Sequence, residues 1–138
     1  MWQKVDKESV MMEYSDVDEK MLRIAKSLAR SRKINNNTTV GHVAVSVLSE
    51  NNEIYTGVSI ETSYSLGYCA EAMAIGESLK HGNSRVLKML AFHEIQGVIS
   101  PCGKCREFLF QINHENLKCE IILQNRICLL KELLPEYG

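Results

Sequence analysis

The sequence contains no apolar run that approaches the roughly 20 residues needed to cross a membrane. Its first residues carry acidic side chains among their charges and include no apolar stretch, so no signal peptide is predicted there. Repeats, low-complexity segments and linkers are also missing. These absences favour a cytoplasmic protein without membrane contact, built as one domain over residues 1–138. Residues 1–14 show no clear periodicity and are expected to be loosely ordered.

The chain also has almost no net charge. It carries 16 Lys and Arg residues against 17 Asp and Glu residues, a formal net charge of −1. A protein that acts on nucleic acid normally presents a basic surface that neutralises phosphates. The basic stretch between residues 20 and 33 is interpreted instead as the solvated face of a helix. A small, weakly charged substrate is therefore favoured over a polynucleotide.

Hydrophobic periodicity predicts an alternation of helices and strands. A capping box at Ser15 and Asp18 predicts a helix that runs to about Ser31. Two further helices are predicted at residues 70–81 and 103–113, and strands at residues 42–48, 54–60, 86–93, 119–123 and 127–130. A hairpin followed by strand, helix, strand, helix and strand indicates a layered α/β domain.

Five cysteines are an odd number, and a reducing cytosol disfavours disulfides, so metal binding or burial is their expected use. Three of them lie in two short motifs, Cys69-Ala70-Glu71 and Pro101-Cys102-Gly103-Lys104-Cys105. Each motif opens a predicted helix, where backbone N–H groups and the helix dipole favour thiolates. Three protein ligands leave the fourth tetrahedral position of zinc to water, as in catalytic sites. Cys69, Cys102 and Cys105 are therefore predicted to bind one Zn²⁺, in the motif pattern of zinc deaminases.

Glu71 lies two residues after Cys69, on the first turn of the same predicted helix. Zinc can lower the pKa of a bound water to about 7, and the Glu71 carboxylate is close enough to accept its proton. In hydrolytic deamination, hydroxide attacks the amidine carbon and an acid protonates the departing amine. One carboxylate that shuttles the proton serves both steps, so Glu71 is predicted to be the catalytic residue.

Two other interpretations of the cysteines are open at this point. A Cys-x-x-Cys motif also occurs in thioredoxin-like redox pairs, but the only later proline, Pro135, lies too near the end of the chain to be the companion cis-proline. A closed structural zinc site, with Cys119 or a histidine as fourth ligand, would make the chain a non-catalytic zinc-binding module. That arrangement gives Glu71 no role. Cys119 and Cys128 are more simply interpreted as buried strand residues.

At these motifs the sequence resembles the cytidine deaminase superfamily, in particular the small homotetrameric cytidine deaminases and the blasticidin S deaminases. The resemblance extends from about His42 to Pro135 and includes the terminal Glu132-Leu133-Leu134-Pro135. It implies a three-layer α/β/α fold, with a mixed sheet of about five strands and helices on both faces. It also implies one zinc ion per subunit and a homotetramer in which neighbouring subunits complete the active sites.

The resemblance further implies which residues hold the substrate. The Ala70 amide and the Ser100 carbonyl would bind the base, and Ser59 and Glu61 would face the sugar. Nucleoside deaminases have an Asn-x-Glu pair at the latter place, whereas this chain has Ser59-Ile60-Glu61. A serine offers one hydroxyl in place of the donor and acceptor groups of an amide.

A second departure concerns charge. Ala72 follows the catalytic glutamate where many three-cysteine nucleoside deaminases have an arginine. Zinc with three thiolates carries a net charge of −1, which makes its water less acidic unless another group offsets it. Arg106 is therefore predicted to donate a hydrogen bond to a thiolate; the alternative is a solvated residue on the third helix.

The predicted activity is zinc-dependent deamination of cytidine or deoxycytidine to uridine or deoxyuridine and ammonia. The alternative substrate is an aminoacyl cytosine nucleoside of the blasticidin S type, because Gly41 and His42 replace the usual phenylalanine, as in some blasticidin S deaminases. Tyr64 and Tyr68 are expected to line the pocket, to cross a subunit interface or only to pack their loop.

Overall fold

The computed structural model describes residues 14–136, so the order predicted for residues 1–14 lies outside the described residues except at Tyr14. The helices are α1 (Asp16–Leu28), α2 (Ala70–Lys80), α3 (Gly103–Ile112) and α4 (Leu130–Leu133). The strands are β1 (Arg32–Asn35), β2 (Thr38–Ser49), β3 (Ile54–Thr62), β4 (Gly67–Tyr68), β5 (Val86–His93), β6 (Gly97–Ile99), β7 (Glu120–Ile122) and β8 (Ile127–Leu129). Within residues 14–136, every helix is too short or too polar to cross a membrane.

The strands form one mixed sheet in the order β4-β3-β2-β5-β7-β8, with β1 beside β2 and β6 beside β5. The pairing of β5 with β7 is parallel, with Met89 opposite Ile121, and the other pairings are antiparallel. The long strand β2 lies at the centre and pairs with both β3 and β5. The β5–α3–β7 crossover returns the chain to the same sheet, as parallel strands require.

Both faces of the sheet are covered by helices, because successive side chains of a strand point to opposite faces. On one face the strands pack against α2, α3 and α4, in a cluster that includes Val45, Val47, Ala74, Ile75, Met89, Leu109, Ile121 and Leu130. On the other face they pack against α1, in a cluster of Met21, Ala25, Leu48, Leu90 and Ile122. The predicted three-layer α/β/α fold is confirmed.

Three short strands and the end of α1 differ from the sequence predictions. All four residues of β1 are exposed, so no apolar periodicity marks that strand. Strands β4 and β6 have only two and three residues. Helix α1 ends at Leu28, not Ser31, and the chain then passes close to β2. A Cβ at Gly41, whose φ is +93°, would lie 2.4 Å from the Arg30 carbonyl oxygen.

A buried ion pair ties α1 to the sheet. Asp18, 1% exposed, accepts a hydrogen bond from Lys88 Nζ at 2.9 Å, and Lys88 also reaches Glu120 at 3.1 Å. Burial acts to raise the pKa of Asp18, but hydrogen bonds from Lys88 and from Ser15 outweigh burial and hold this pKa below its usual value. A carboxyl whose pKa is lower in the folded state stabilises the fold above its unfolded pKa of about 4. This stabilisation is lost as the pH falls through the folded pKa.

We expect Asp18→Asn to lower the free energy of unfolding at pH 7 by about 2 kcal/mol, because Lys88 loses its buried partner but keeps Glu120. The deficit relative to the wild type should begin to shrink below about pH 4 and should vanish only below the folded-state pKa, where Asp18 is protonated in both states of the wild type. Urea unfolding at pH 7 and at acidic pH measures both values. The control is Glu115→Gln, since Glu115 meets Lys118 at 3.0 Å on the surface, where solvent screens the pair and its loss should change the stability far less. Equal losses in the two variants would contradict the role of Asp18.

Candidate metal centre and active site

Three cysteine sulfurs converge where two helices begin. Cys69 is the N-cap of α2 and Cys102 the N-cap of α3, and neither sulfur accepts a hydrogen bond from its own helix. Cys105 lies on the first turn of α3 and is 2% exposed. The three Sγ atoms lie within 4.8 Å of one another, the one cluster of three or more potential metal ligands in residues 14–136.

The spacing and chemistry of these sulfurs fit a tetrahedral zinc ion. Zn–S bonds of about 2.3 Å at tetrahedral angles place two sulfurs about 3.8 Å apart. The Sγ atoms of Cys69 and Cys102 are 3.8 Å apart. Three thiolates are soft ligands of the kind zinc binds, and the two helix N-termini direct positive ends of their dipoles toward them. One zinc therefore fits at this position.

Without a cation, the local electrostatics oppose thiolate formation. Burial raises the pKa of Cys105, and the nearby Glu71 carboxylate raises it further. Burial, followed by the hydrogen bond with Cys102, also raises the pKa of Cys69. A divalent cation reverses this balance, because a coordinating thiol is deprotonated. A bound metal ion therefore favours the thiolate forms of Cys69 and Cys105, which the protein alone disfavours.

The Glu71 carboxylate lies beside this cluster, on the first turn of α2. The residue is 5% exposed and borders the cleft next to the sulfurs. Within residues 14–136, no backbone or side-chain group donates a hydrogen bond to its carboxylate. The carboxylate oxygens are open to the cleft rather than sealed in the protein. A carboxylate in this position is placed to exchange a proton with a bound molecule.

Close packing of α2 on β3 determines where Cys69 and Glu71 lie. Gly57 of β3 lies directly under the first turns of α2, so that a Cβ at this position would come within 2.4 Å of the Ala74 nitrogen and 2.6 Å of the Ala70 carbonyl oxygen. Any larger residue would push the helix away from the sheet. The absence of a side chain at Gly57 therefore sets the depth of the helix N-terminus in the molecule.

A cleft of about 390 Å³ opens beside the sulfurs, within the range of about 300–1,000 Å³ typical of small-molecule sites. The predicted site residues that line it are Ser59, Glu61, Cys69, Ala70, Glu71, Ser100 and Cys102. Cys105 lies behind this surface. Of the two loop tyrosines, Tyr68 lines the cleft, whereas Tyr64 is 93% exposed. The structure thus brings the predicted base-binding and sugar-binding residues to one cavity.

Ser59 and Glu61 occupy one wall of the cleft and differ in their surroundings. Ser59 is buried, and its hydroxyl oxygen accepts a hydrogen bond from the Val43 N–H at 3.1 Å, which leaves its proton to donate. The Glu61 side chain is 61% exposed, and its Oε1 lies 3.3 Å from His42 Nε2. The other ring nitrogen of His42 lies 2.5 Å from Glu94 Oε2.

The connection of Glu61 through His42 to Glu94 was not predicted from the sequence. Glu94 follows a strand 52 residues after His42, and no local motif links the two residues. Hydrogen bonds from the Ser31 N–H and from His42 hold the pKa of Glu94 below its usual value. The sequence showed only that His42 begins one predicted strand and that Glu94 follows the end of another; the antiparallel pairing of β2 with β5 brings these two ends together.

Arg106 joins the loop before Cys102 to the last helix. Its guanidinium donates hydrogen bonds to the Pro101 carbonyl at 2.9 Å, the Leu133 carbonyl at 3.1 Å and the Ser100 hydroxyl at 2.8 Å. These bonds fix the segment that presents Ser100 to the cleft. A hydrogen bond from Arg106 to a thiolate stays a prediction, and unchanged zinc affinity in an Arg106→Ala variant would contradict it.

The residues proposed for a closed zinc site lie elsewhere. Cys119 is fully buried, and its Sγ contacts the Glu120 carbonyl rather than the three sulfurs. Within residues 14–136, no histidine or carboxylate joins the three cysteines in this cluster. Burial raises the pKa of Cys119 and of Cys128. Both cysteines are core residues, as their strand positions predicted.

Comparison with known proteins agrees with this geometry. A family model described as the cytidine and deoxycytidylate deaminase zinc-binding region matches residues 15–121. A cytidine deaminase from Sporosarcina psychrophila is 31% identical over 91 residues, covering 62% of this chain and 67% of its own, and one from Mycobacterium tuberculosis is 29% identical over 95 residues, covering 68% and 70%. A crystal structure of cytidine deaminase from Mycobacterium tuberculosis superimposes with a TM-score of 0.73 at 24% identity, covering 89% of this chain and 97% of that one. At 24% identity, the similarity to this crystal structure shows a shared fold.

Proposed function

The chain belongs to the cytidine and deoxycytidylate deaminase family and is a zinc-dependent hydrolase, and on that premise we propose that it deaminates a cytosine nucleoside. The leading substrates are cytidine and deoxycytidine, converted to uridine and deoxyuridine with release of ammonia. The observation that carries this proposal is the Glu71 carboxylate, which faces the cleft beside three sulfurs at zinc-binding distance and has no hydrogen-bond partner within residues 14–136. Both relatives are named cytidine deaminases, so they do not favour the aminoacyl cytosine alternative.

Glu71 is proposed to carry the proton through the reaction. Zinc, held by Cys69, Cys102 and Cys105, supplies the Lewis acidity that makes water nucleophilic near neutral pH. The Glu71 carboxylate accepts a proton from the attacking water and delivers it to the amino group that leaves from the ring. Glu71 is only 5% exposed, and its carboxylate opens to the cleft beside the sulfurs, which supports a proton shuttle rather than a solvated surface carboxylate.

The remaining cleft residues are proposed to orient the nucleoside. The Ala70 N–H belongs to the first turn of α2, where helical N–H groups have no partner within the helix, so it is free to donate to the base. The Ser100 carbonyl, in the segment that Arg106 holds, accepts from the amino group of the base. Ser59 and Glu61 meet the sugar at the other wall of the cleft.

Assembly into a homotetramer in the cytoplasm is part of the same proposal. The loop between β3 and α2 presents three large exposed side chains, Tyr64, Leu66 and Tyr68, which are 93%, 67% and 63% exposed. Exposed apolar and aromatic residues grouped beside a cleft are typical of interfaces. Light scattering after size-exclusion chromatography tests the proposal: a mass of one subunit would contradict it.

The substrate proposal is tested by steady-state kinetics of the zinc-loaded protein. Cytidine, deoxycytidine and blasticidin S are assayed in parallel, and the ultraviolet change on deamination is followed. We expect kcat/KM for cytidine or deoxycytidine to exceed the value for blasticidin S by at least about tenfold, because the relatives of this chain are named cytidine deaminases. A preference for blasticidin S would reverse the proposal, and the absence of turnover on all three would reject it.

A further inference from the structure

We propose that His42 is a positioning residue that holds the Glu61 carboxylate in place for the sugar hydroxyls, and that Glu94 in turn fixes His42. This inference rests on the proposed function, since it assigns the geometry of the sugar-binding wall. His42 itself does not line the cleft, whereas Glu61 does. Any effect of His42 on the substrate must therefore pass through Glu61.

The three side chains form a connected series from the cleft to the backbone. His42 Nε2 lies 3.3 Å from Glu61 Oε1, and His42 Nδ1 lies 2.5 Å from Glu94 Oε2. The other oxygen of Glu94 accepts the Ser31 N–H at 3.0 Å, and the Glu94 N–H donates to the His42 carbonyl at 2.9 Å. The imidazole thus has a rigid anchor on the side away from the cleft.

The local backbone is shaped to place a side chain here. The pairing of β2 with β3 skips from Val40 opposite Ile60 to Ala44 opposite Val58, so four steps on β2 match two on β3. The extra residues form a bulge that begins at Gly41, whose φ is +93°. A bulge redirects the side chain that it carries. Here it places the His42 ring between a carboxylate from β3 and one that follows β5.

The chemistry of the pair explains why Glu61 needs support. With 61% of its side chain exposed, an unsupported Glu61 would sample several rotamers. An imidazolium donates to both carboxylates at once, whereas a neutral imidazole can donate to one only. The contact engages Oε1, so Oε2 can accept hydrogen bonds from the sugar. Holding this carboxylate in place lowers the entropy lost on substrate binding.

The test compares His42→Ala with the wild type on cytidine and on 2′,3′-dideoxycytidine, which lacks the two ring hydroxyls. We expect KM for cytidine to rise about tenfold with little change in kcat, the size of one charge-assisted hydrogen bond. On the dideoxy substrate the two proteins should have the same KM. In a Glu61→Gln background, His42→Ala should add no further loss, and Glu94→Gln should shift KM in the same direction as His42→Ala.

The matched control is His81→Ala, which removes a histidine that meets Glu77 at 3.3 Å outside the cleft and should leave both KM values unchanged. If His42→Ala unfolds the protein, His42→Gln keeps a donor toward Glu61 and should give a smaller rise in KM. An equal rise on both substrates, additivity with Glu61→Gln, or no change would overturn the role of His42. Wild-type protein that turns over neither substrate would overturn the proposed function and this inference with it.

Discussion

Glu71→Gln should lower kcat by about 10²- to 10⁴-fold while the protein keeps its zinc and its fold. Glutamine has nearly the same shape as glutamate but can neither accept the proton of the attacking water nor release one to the departing amine. The residue is 5% exposed and its carboxylate accepts no hydrogen bond within residues 14–136, so the change to glutamine removes no structural hydrogen bond. The assay is the ultraviolet change on deamination, together with the zinc content of the purified variant.

The control for this experiment lies on the same helix. Glu77→Gln changes a glutamate six residues later, whose contacts are to Lys80 and His81 on the surface. We expect its kcat to match that of the wild type. Retained turnover in Glu71→Gln would rule out a proton shuttle at this position. Loss of zinc from the same variant would instead make Glu71 a metal ligand.

The metal cluster could be predicted because its residues lie in two local motifs. Cys69 and Glu71 are two residues apart, and Cys102 and Cys105 are three apart at the start of another helix. In each case the helix geometry places the members on one turn. The sequence does not show that the two motifs lie close together in space. Zinc chemistry suggested it, because three thiolates can bind one metal ion, with a carboxylate beside it, only if they converge.

Helices and strands could be predicted from the sequence where one of their faces is buried, because burial makes apolar residues recur at the spacing of the element. The alternation of Val45, Val47 and Leu48 between the two faces of the sheet follows from the pattern of β2. Strand β1 lacks this signal, because all its residues are exposed and its pairing depends on the turn at residues 36–37. The course of the chain after α1 depends on Gly41, which is distant in sequence and leaves room for the Arg30 carbonyl beside β2.

The supports of the site could not be predicted, because they depend on long-range contacts of single side chains. His42 meets Glu94 across 52 residues, and Arg106 meets the Leu133 carbonyl across 27. Such contacts follow from strand register and loop course, which no local pattern encodes. Arg106 shows this most clearly, since its hydrogen bonds go to three oxygens around Ser100 and Leu133.

Cys102→Ser should abolish stoichiometric zinc binding and lower the melting temperature by about 10 °C or more. A ligand present at 1,000 times its Kd stabilises the folded state by about 4 kcal/mol, and each kcal/mol corresponds to roughly 3 °C in a domain of this size. A serine hydroxyl is a poor zinc ligand at neutral pH. Cys102 is exposed, unlike Cys105, so its replacement creates no defect in the core. The lost stability therefore reports metal binding alone.

A chelator separates this effect from other consequences of the substitution. Removal of zinc should lower the melting temperature of the wild type to that of Cys102→Ser, and the chelator should leave the variant unchanged, because ligation energy is coupled to folding. Cys119→Ser, at a buried cysteine outside the cluster, should lose some stability yet retain its zinc and its response to the chelator. A Cys102→Ser protein that binds one zinc per chain, or melts with the untreated wild type, would show that this thiol does not hold the metal. Because the proposed activation of water depends on bound zinc, the variant should also have no measurable turnover.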